Sequence, residues 1–340
     1  MLMTTIPGTQ LTVSSLCLGT ASIGSAINEQ DSFRLLDHFC DLGGSFLDTS
    51  LNYADWQCSV PSISEKTIGK WLKQRKGGRP IVVGTKGACA TPERFFRLSR
   101  AEIIHDLHSS LHNLQLDCIA LFWLHRDDPG VPVASIMDVL HEQVEAGSIR
   151  YFACSNWTLE RIVEAQNYAA SKGKPGFCAS QILWSLAKPN ETRLQDKTLV
   201  AMDERTLEFH SRTGMAVIPY SSQAGGFFSG RCLPDAVGVG GKTAAVLRDY
   251  GNAANFARLE RVREVAARLN ETPAAVALAY LFAHPFAVFP IIGASKPEQL
   301  TDSCRAGELR LDAETARYIG QGEVGHPQPD PADRSPDVSL

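Results

Sequence analysis

No two of the nine cysteines, at positions 17, 40, 58, 89, 118, 154, 178, 232 and 304, form a C-x-x-C pair. Scattered and odd in number, they argue against a disulfide framework or a zinc ribbon and imply a reducing compartment, the cytoplasm. Basic residues are not in excess: 33 Lys+Arg against 37 Asp+Glu give a net charge of -4. A nucleic-acid footprint, which needs a basic stripe, is therefore not expected. No apolar run approaches the roughly 18 residues of a membrane-spanning helix, so no membrane association is expected. The first residues, MLMTTIPGTQLTVSS, lack the basic start and apolar stretch of a secretory leader. Also missing is G-x-G-x-x-G after the first apolar run, which reads Gly19-Thr20-Ala21-Ser22-Ile23-Gly24. That weighs against an open, doubly wound dinucleotide-binding sheet.

The composition is ordinary for a globular chain, 44% hydrophobic and 21% charged over 340 residues. Length alone suggests about two domains, but an α/β barrel fills it as one. Eight short apolar runs recur near 16–20, 45–49, 81–86, 118–124, 149–154, 177–182, 216–220 and 288–293. Continuous apolar runs indicate strands buried on both faces, as in parallel sheets. Amphipathic helical stretches separate them, near 29–43, 64–76, 101–114, 133–146, 158–170, 196–212, 255–283 and 297–305. Asp31 and Thr158 are placed to cap helix starts, and Pro273 divides 255–283 into two helices. The alternation predicts a (β/α)₈ TIM barrel over residues 1–323. A short N-terminal hairpin over 2–13 would turn at Pro7-Gly8, and 324–340, with four prolines, reads as a mobile, disordered tail.

In such a barrel the active site lies at the C-terminal ends of the strands. Those ends carry Thr20, Asp48, Lys86, His125, Ser155-Asn156, Gln181, Tyr220-Ser221 and Gly293-Ala294-Ser295. Each alone has a bland reading: Asp48 as a turn cap, Lys86 as a solvated lysine, His125 as a structural histidine. Together, with Tyr53 five residues after Asp48, they describe proton-transfer apparatus. A tyrosine titrates near ~10, and an adjacent ammonium favours its ionised form. Asp48 would hold Lys86 charged and oriented, and a neutral His125 could hydrogen-bond a carbonyl oxygen.

The segments Phe46–Tyr53, Ser64-Glu65, Thr85-Lys86, Trp123–His125, Ser155-Asn156, Gln181–Leu186 and Ile292–Leu300 resemble the aldo-keto reductases, in order, over about residues 14–305. The resemblance implies a (β/α)₈ barrel binding NAD(P)H in extended form and interconverting a carbonyl, aldehyde or ketone, with an alcohol. It implies Tyr53 as general acid/base, Asp48 and Lys86 as its tuning pair, and His125 as orienter of the carbonyl. Ser155, Asn156 and Gln181 would meet the nicotinamide carboxamide and Tyr220 would stack on the ring. Thr20, Asp48, Ser221, Gly225 and Gly293 complete the implied cofactor set. Ser295 and Lys296 fall at the adenosine ribose, and Gln299 and Ser303 stand where the family often has Arg and Asn. Lys296 favours a 2′-phosphate, hence NADP over NAD.

Three departures matter. The tyrosine is usually followed by Gly but here by Ala54, and residues 54–63 are inserted before Ser64-Glu65. The loop Ser221–Gly230 lacks the family's proline. Trp56, Arg126 and Trp157 are candidate substrate-pocket residues, with packing the alternative for both tryptophans. The polar run His125–Asp128 leans towards a sugar-like substrate, unless its acids merely cap the loop before Pro129. Three features read as non-functional: a near-Walker stretch at 236–243, the helix-face histidines His105, His108 and His112, and Cys154 in the barrel wall. A redox-sensing, cofactor-binding subunit with little turnover is the rival function; either way the partner is a small molecule.

Overall fold

The chain opens with an antiparallel hairpin, β1 (Met3–Thr5) and β2 (Thr12–Ser14), in which Thr4 pairs with Val13. The computed structural model describes residues 1–91, 94, 96–232 and 240–322. The proposed tail, 324–340, lies outside the described residues, as do positions 236–239 of the near-Walker stretch. The rest of that stretch leads into a helix: Gly240 precedes α7 (Gly241–Tyr250).

Eight parallel strands come after the hairpin: β3 (Cys17–Gly19), β4 (Phe46–Asp48), β5 (Val82–Gly87), β6 (Ile119–Leu124), β7 (Ile149–Ser155), β8 (Ala179–Gln181), β9 (Ala216–Val217) and β10 (Ile291–Ile292). Each coincides with one expected apolar run. They pair in chain order, and β10 pairs with β3. The circle closes where Phe289 donates its backbone N–H to Val217 O at 2.9 Å and Ile291 to Pro219 O at 2.9 Å. A closed sheet has no free edge, so every strand is satisfied on both sides.

Helices α1 (Glu29–Asp41), α2 (Ile63–Gln74), α3 (Arg100–Leu114), α4 (Val133–Glu145), α5 (Leu159–Ser171), α6 (Glu204–Thr213) and α10 (Pro297–Ala306) lie between or after the strands. Thr158 caps α5 as expected, accepting from Arg161 N. Asp31 does not cap α1: the N-cap is Asn28, whose Oδ1 accepts from Asp31 N at 2.9 Å. Pro273 opens α9 (Pro273–Ala279) after α8 (Ala253–Leu269), so the stretch is indeed divided. The expected helix at 196–212 is half right. Its first part is not helical: the chain turns at Lys197-Thr198, Ala201 then bridges Leu183, and only α6 is helical. Helices α7 and α11 (Ala313–Gln321) have no counterpart among the sequence expectations.

Strand periodicity explains what faces where. Side chains alternate between the two faces of a strand, so residues two apart share a face. The barrel interior is filled by Cys17, Phe46, Leu121, Trp123, Ala153, Ala179, Ala216, Ile218 and Phe289, while Leu18, Leu47 and Val83 pack outward. Ile6, Leu11 and Val13 from the hairpin join the interior cluster and stopper one end. Gly84 is required by this packing, because a Cβ there would lie 2.8 Å from Trp123 Nε1.

Candidate active site

The same alternation delivers the polar groups to one place. Asp48 is two residues beyond interior Phe46, His125 two beyond Trp123, Ser155 two beyond Ala153, Gln181 two beyond Ala179, and Tyr220 two beyond Ile218. Strand register aligns them: Asp48 pairs with Gly84, Lys86 with Trp123 and Ser155 with Gln181. Six side chains from six strands therefore enter the open mouth of the barrel.

At its floor Lys86, fully buried, uses all three ammonium protons. Nζ donates to Asp48 Oδ2 at 2.6 Å, to Thr49 O at 2.8 Å and to Tyr53 OH at 2.8 Å. The tyrosine oxygen thus accepts from Lys86, and its own proton is donated to Asp48 Oδ2 in a longer bond, 3.4 Å. Asp48 Oδ1 accepts from Gln181 Nε2 at 2.9 Å. Burying this ion pair is costly without such bonds, and losing one partner would strand a charge.

The tuning of Tyr53 differs from the sequence expectation. Burial, then the neighbouring Asp48 charge, hold the phenol well above its usual 10.0. The phenol thus keeps its proton. His125 is pushed well below its usual 6.5 by burial, then by Arg126 and Lys86, which favours the neutral ring. Its ring meets the Tyr53 ring edge-on, centroids 6.1 Å apart.

Ser64 and Glu65, after the insertion, brace this floor from behind. Ser64 Oγ donates to Thr20 O at 2.9 Å and contacts Thr49 Oγ1 at 3.0 Å. Thr20 Oγ1 donates to Asp48 O at 2.9 Å, so Thr20 is enclosed and holds the strand end. Buried Glu65 receives Asn113 Nδ2 at 2.9 Å and the Thr85 hydroxyl. Ala54, where the family usually has Gly, takes φ 72°, the left-handed region that favours glycine.

Around the rim the structure tests a nicotinamide dinucleotide for fit. A carboxamide needs one donor and one acceptor. Ser155 has an uncommitted hydroxyl proton, and Gln181 Oε1 accepts nothing from the described residues. Asn156 is already engaged: its Oδ1 accepts from Tyr220 OH at 2.7 Å and Val200 N at 3.1 Å. Beyond Tyr220, left-handed φ at Ser221 (52°), Ala224 (48°), Gly225 (64°) and Gly226 (93°) curls the chain tightly. Such turns direct backbone N–H groups towards an anion. Gln223 ties this loop to Ser303 Oγ (2.9 Å) and receives Gly293 N (3.4 Å). Gln299 Oε1 accepts from Ser295 N and Oγ at 3.0 and 3.1 Å, while exposed Lys296 caps α10 and forms no ion pair among the described residues. The donor set fits the group.

The substrate side is less as expected. Trp56 is 61% exposed and meets the Tyr53 ring edge-on, centroids 6.2 Å apart. Trp157 does not join it: it is buried against Phe177, centroids 5.0 Å apart, with Arg161 stacked over it. Arg126 is committed, donating to Asp196 Oδ2 (2.9 Å), Thr198 Oγ1 (3.1 Å) and His125 O (2.8 Å). Asp127 pairs with Arg161, and Asp128 Oδ1 accepts Gly130 N at 3.0 Å. The polar run is thus spent internally, which removes the ground for a sugar-like substrate. His105, His108 and His112 are exposed on α3, and Cys154 is buried in the wall.

Sequence reasoning missed Cys89, whose Sγ lies 3.0 Å from His125 Nδ1, and the strap at 194–202 that Arg126 pins. No motif marks either; both depend on convergence of distant loops.

Comparison with known proteins agrees with this fold. The family model described as Aldo/keto reductase family matches residues 15–321. The chain is 32% identical over 320 residues to the uncharacterized oxidoreductase YrpG of Bacillus subtilis (strain 168), covering 92% of each. It is 28% identical to aryl-alcohol dehydrogenase GME11368 of Pestalotiopsis microspora, over 94% of this chain and 82% of that one. It is 27% identical to an aryl-alcohol dehydrogenase [NADP(+)] of Phanerodontia chrysosporium, over 92% and 83%. A solved structure, the thermostable aldo-keto reductase Tm1743 with the inhibitor epalrestat, superimposes with TM-score 0.67 at 21% identity, over 94% of this chain and 99% of that one, a likeness of fold. The match over nearly the whole chain shows that this protein belongs to the aldo/keto reductase family.

Proposed function

We propose that this chain reduces an aromatic aldehyde or ketone to its alcohol with NADPH, with Tyr53 as the proton donor. One observation carries the reading: Lys86 Nζ meets Asp48, Thr49 O and Tyr53 OH at once, at 2.6, 2.8 and 2.8 Å. When bound, a reduced nicotinamide supplies hydride to the carbonyl carbon. As negative charge grows on the carbonyl oxygen, Tyr53 passes it the phenolic proton. Lys86, already hydrogen-bonded to the phenolic oxygen, stabilises the charge left there, and Asp48 keeps the site's net charge from rising. His125 orients the carbonyl through Nε2, which has no partner among the described residues.

Ser155 and Gln181 would hold the carboxamide, Tyr220 would stack on the ring, and the 221–226 turn would take the pyrophosphate. Asn156 acts here by fixing Tyr220. Lys296 at the start of α10 supports the 2′-phosphate of NADP, as does the NADP(+) in the name of one relative. Exposed Trp56 beside Tyr53, together with two relatives named aryl-alcohol dehydrogenases, supports an aromatic substrate. The intact set Asp48, Tyr53, Lys86 and His125 favours turnover over a sensor role. The test is NADPH oxidation against a panel of aromatic aldehydes, aliphatic aldehydes and sugars. Turnover fastest on the aromatic members supports the proposal; cofactor binding with no turnover on any of them overturns it.

A further inference from the structure

Behind His125 lies a second buried constellation that the reaction described above does not use. Asp106 on α3 is 1% exposed, and its Oδ2 accepts from Ala88 N at 2.9 Å. Arg97 grips the same carboxylate with two nitrogens, at 3.0 Å each, and donates to Cys89 O at 2.9 Å. Between them these bonds hold Ala88 at φ 59°, a strained conformation for alanine that persists only where the surroundings impose it. The result is placement of one atom: Cys89 Sγ sits 3.0 Å from His125 Nδ1 and 3.1 Å from Ser50 Oγ.

The direction of the hydrogen bond is set by the partners. Burial pushes the Cys89 thiol up to about 12, so the sulfur carries its proton. Thiol sulfur is a weak acceptor, whereas imidazole nitrogen is a strong one. The Ser50 hydroxyl proton goes to Asn52 Oδ1 at 3.0 Å, and its contact with Nδ1 is longer, 3.4 Å. Which ring nitrogen holds the proton in a neutral histidine is set by the bond the other makes. We propose that Cys89 is a positioning residue: its thiol donates to His125 Nδ1, fixes the Nε2–H tautomer, and turns that proton towards the carbonyl oxygen, with Arg97 and Asp106 holding the thiol in place. This rests on the reading of His125 as the carbonyl orienter, but its first test does not require turnover.

That test is nitrogen-15 NMR of ring-labelled histidines in the full chain at neutral pH, the His125 signals being assigned with His125→Gln. The expected result is a bare Nδ1 and a protonated Nε2; a protonated Nδ1 overturns the proposal. The second test is Cys89→Ala. It should disturb the His125 tautomer signal and lower kcat about 2- to 12-fold, the range of one net hydrogen bond, without changing NADPH affinity. Cys89→Ser, which restores a donor, should recover most of the loss. An Ala variant with unchanged ring signals, or with unchanged kcat, overturns the positioning role. If that variant does not fold, the wild-type spectrum still decides the tautomer. Failure of carbonyl reduction would show separately, as absent turnover with the ring signals as expected.

Discussion

Gln181, at the end of β8, donates from Nε2 to Asp48 Oδ1 at 2.9 Å, joining residues 133 positions apart across the barrel. Lys86 fills the other carboxylate oxygen. Asp48 therefore has both oxygens engaged, and in the proposed mechanism Tyr53 is the group that gives a proton. Tyr53→Phe should lower kcat at least ~100-fold, the low end of general-acid contributions, while NADPH affinity stays within about 2-fold. Steady-state turnover and fluorescence titration check this; retained turnover would remove Tyr53 from the mechanism.

The pH profile is governed by two opposite shifts. An imidazole lowered below 6.5 stays neutral as pH falls through that value. A phenol raised above 10.0 keeps its proton as pH rises through that value. The kcat/KM of reduction should therefore be flat between these two values, with its limbs outside them. An acid limb centred on 6.5 that disappears in His125→Gln would show the imidazole to be unshifted.

Trp56 separates two roles. An anchor under the insertion would be buried; at 61% exposure Trp56 is not. Trp56→Ala should leave the melting temperature within about 1 °C, because exposed side chains contribute little to stability. It should lower kcat/KM for aromatic aldehydes by roughly 2- to 12-fold, as loss of one aromatic contact would, and spare small aliphatic ones. Equal losses on both substrate classes would refute a contact role.

The cofactor preference should reside in Lys296. An exposed lysine at a helix start, meeting a 2′-phosphate, makes a charge-assisted contact worth roughly 1–1.5 kcal/mol after solvent screening. Lys296→Ala should weaken NADPH about 10-fold and leave NADH nearly unchanged. Dissociation constants for both cofactors decide it, and equal weakening would move the ribose site elsewhere.

The strands were legible because a parallel barrel buries both of their faces, so each appears as an unbroken apolar run. Asp48, Lys86, His125 and Gln181 were legible because they stand at the ends of those runs. Other features were not local properties. Residues 196–203 read as part of an amphipathic helix but are held out of it by pairing with Leu183 and by the Arg126–Asp196 pair. Asp31 has a capping side chain, yet Asn28, an equally good cap, stands one turn earlier where the chain enters α1. Arg126 and Asp127 looked free to meet a substrate until their partners, Asp196 and Arg161, arrived from 70 and 34 residues away. Cys89 had no sequence signal, since its meaning lies in its distance to one nitrogen of His125.

The hairpin of β1 and β2 has a kinetic consequence. The barrel interior is filled by side chains, and Ile6, Leu11 and Val13 close one end, so access is from the other end alone. If the proposed function holds, cofactor and substrate would share that doorway, over the same rim. Whichever seats deeper has to arrive first and depart last, so its release waits on the other's. Exchange should therefore be sequential and obligatory in order, and the escape of the deeper-seated species becomes the step on which the turnover rate can come to depend.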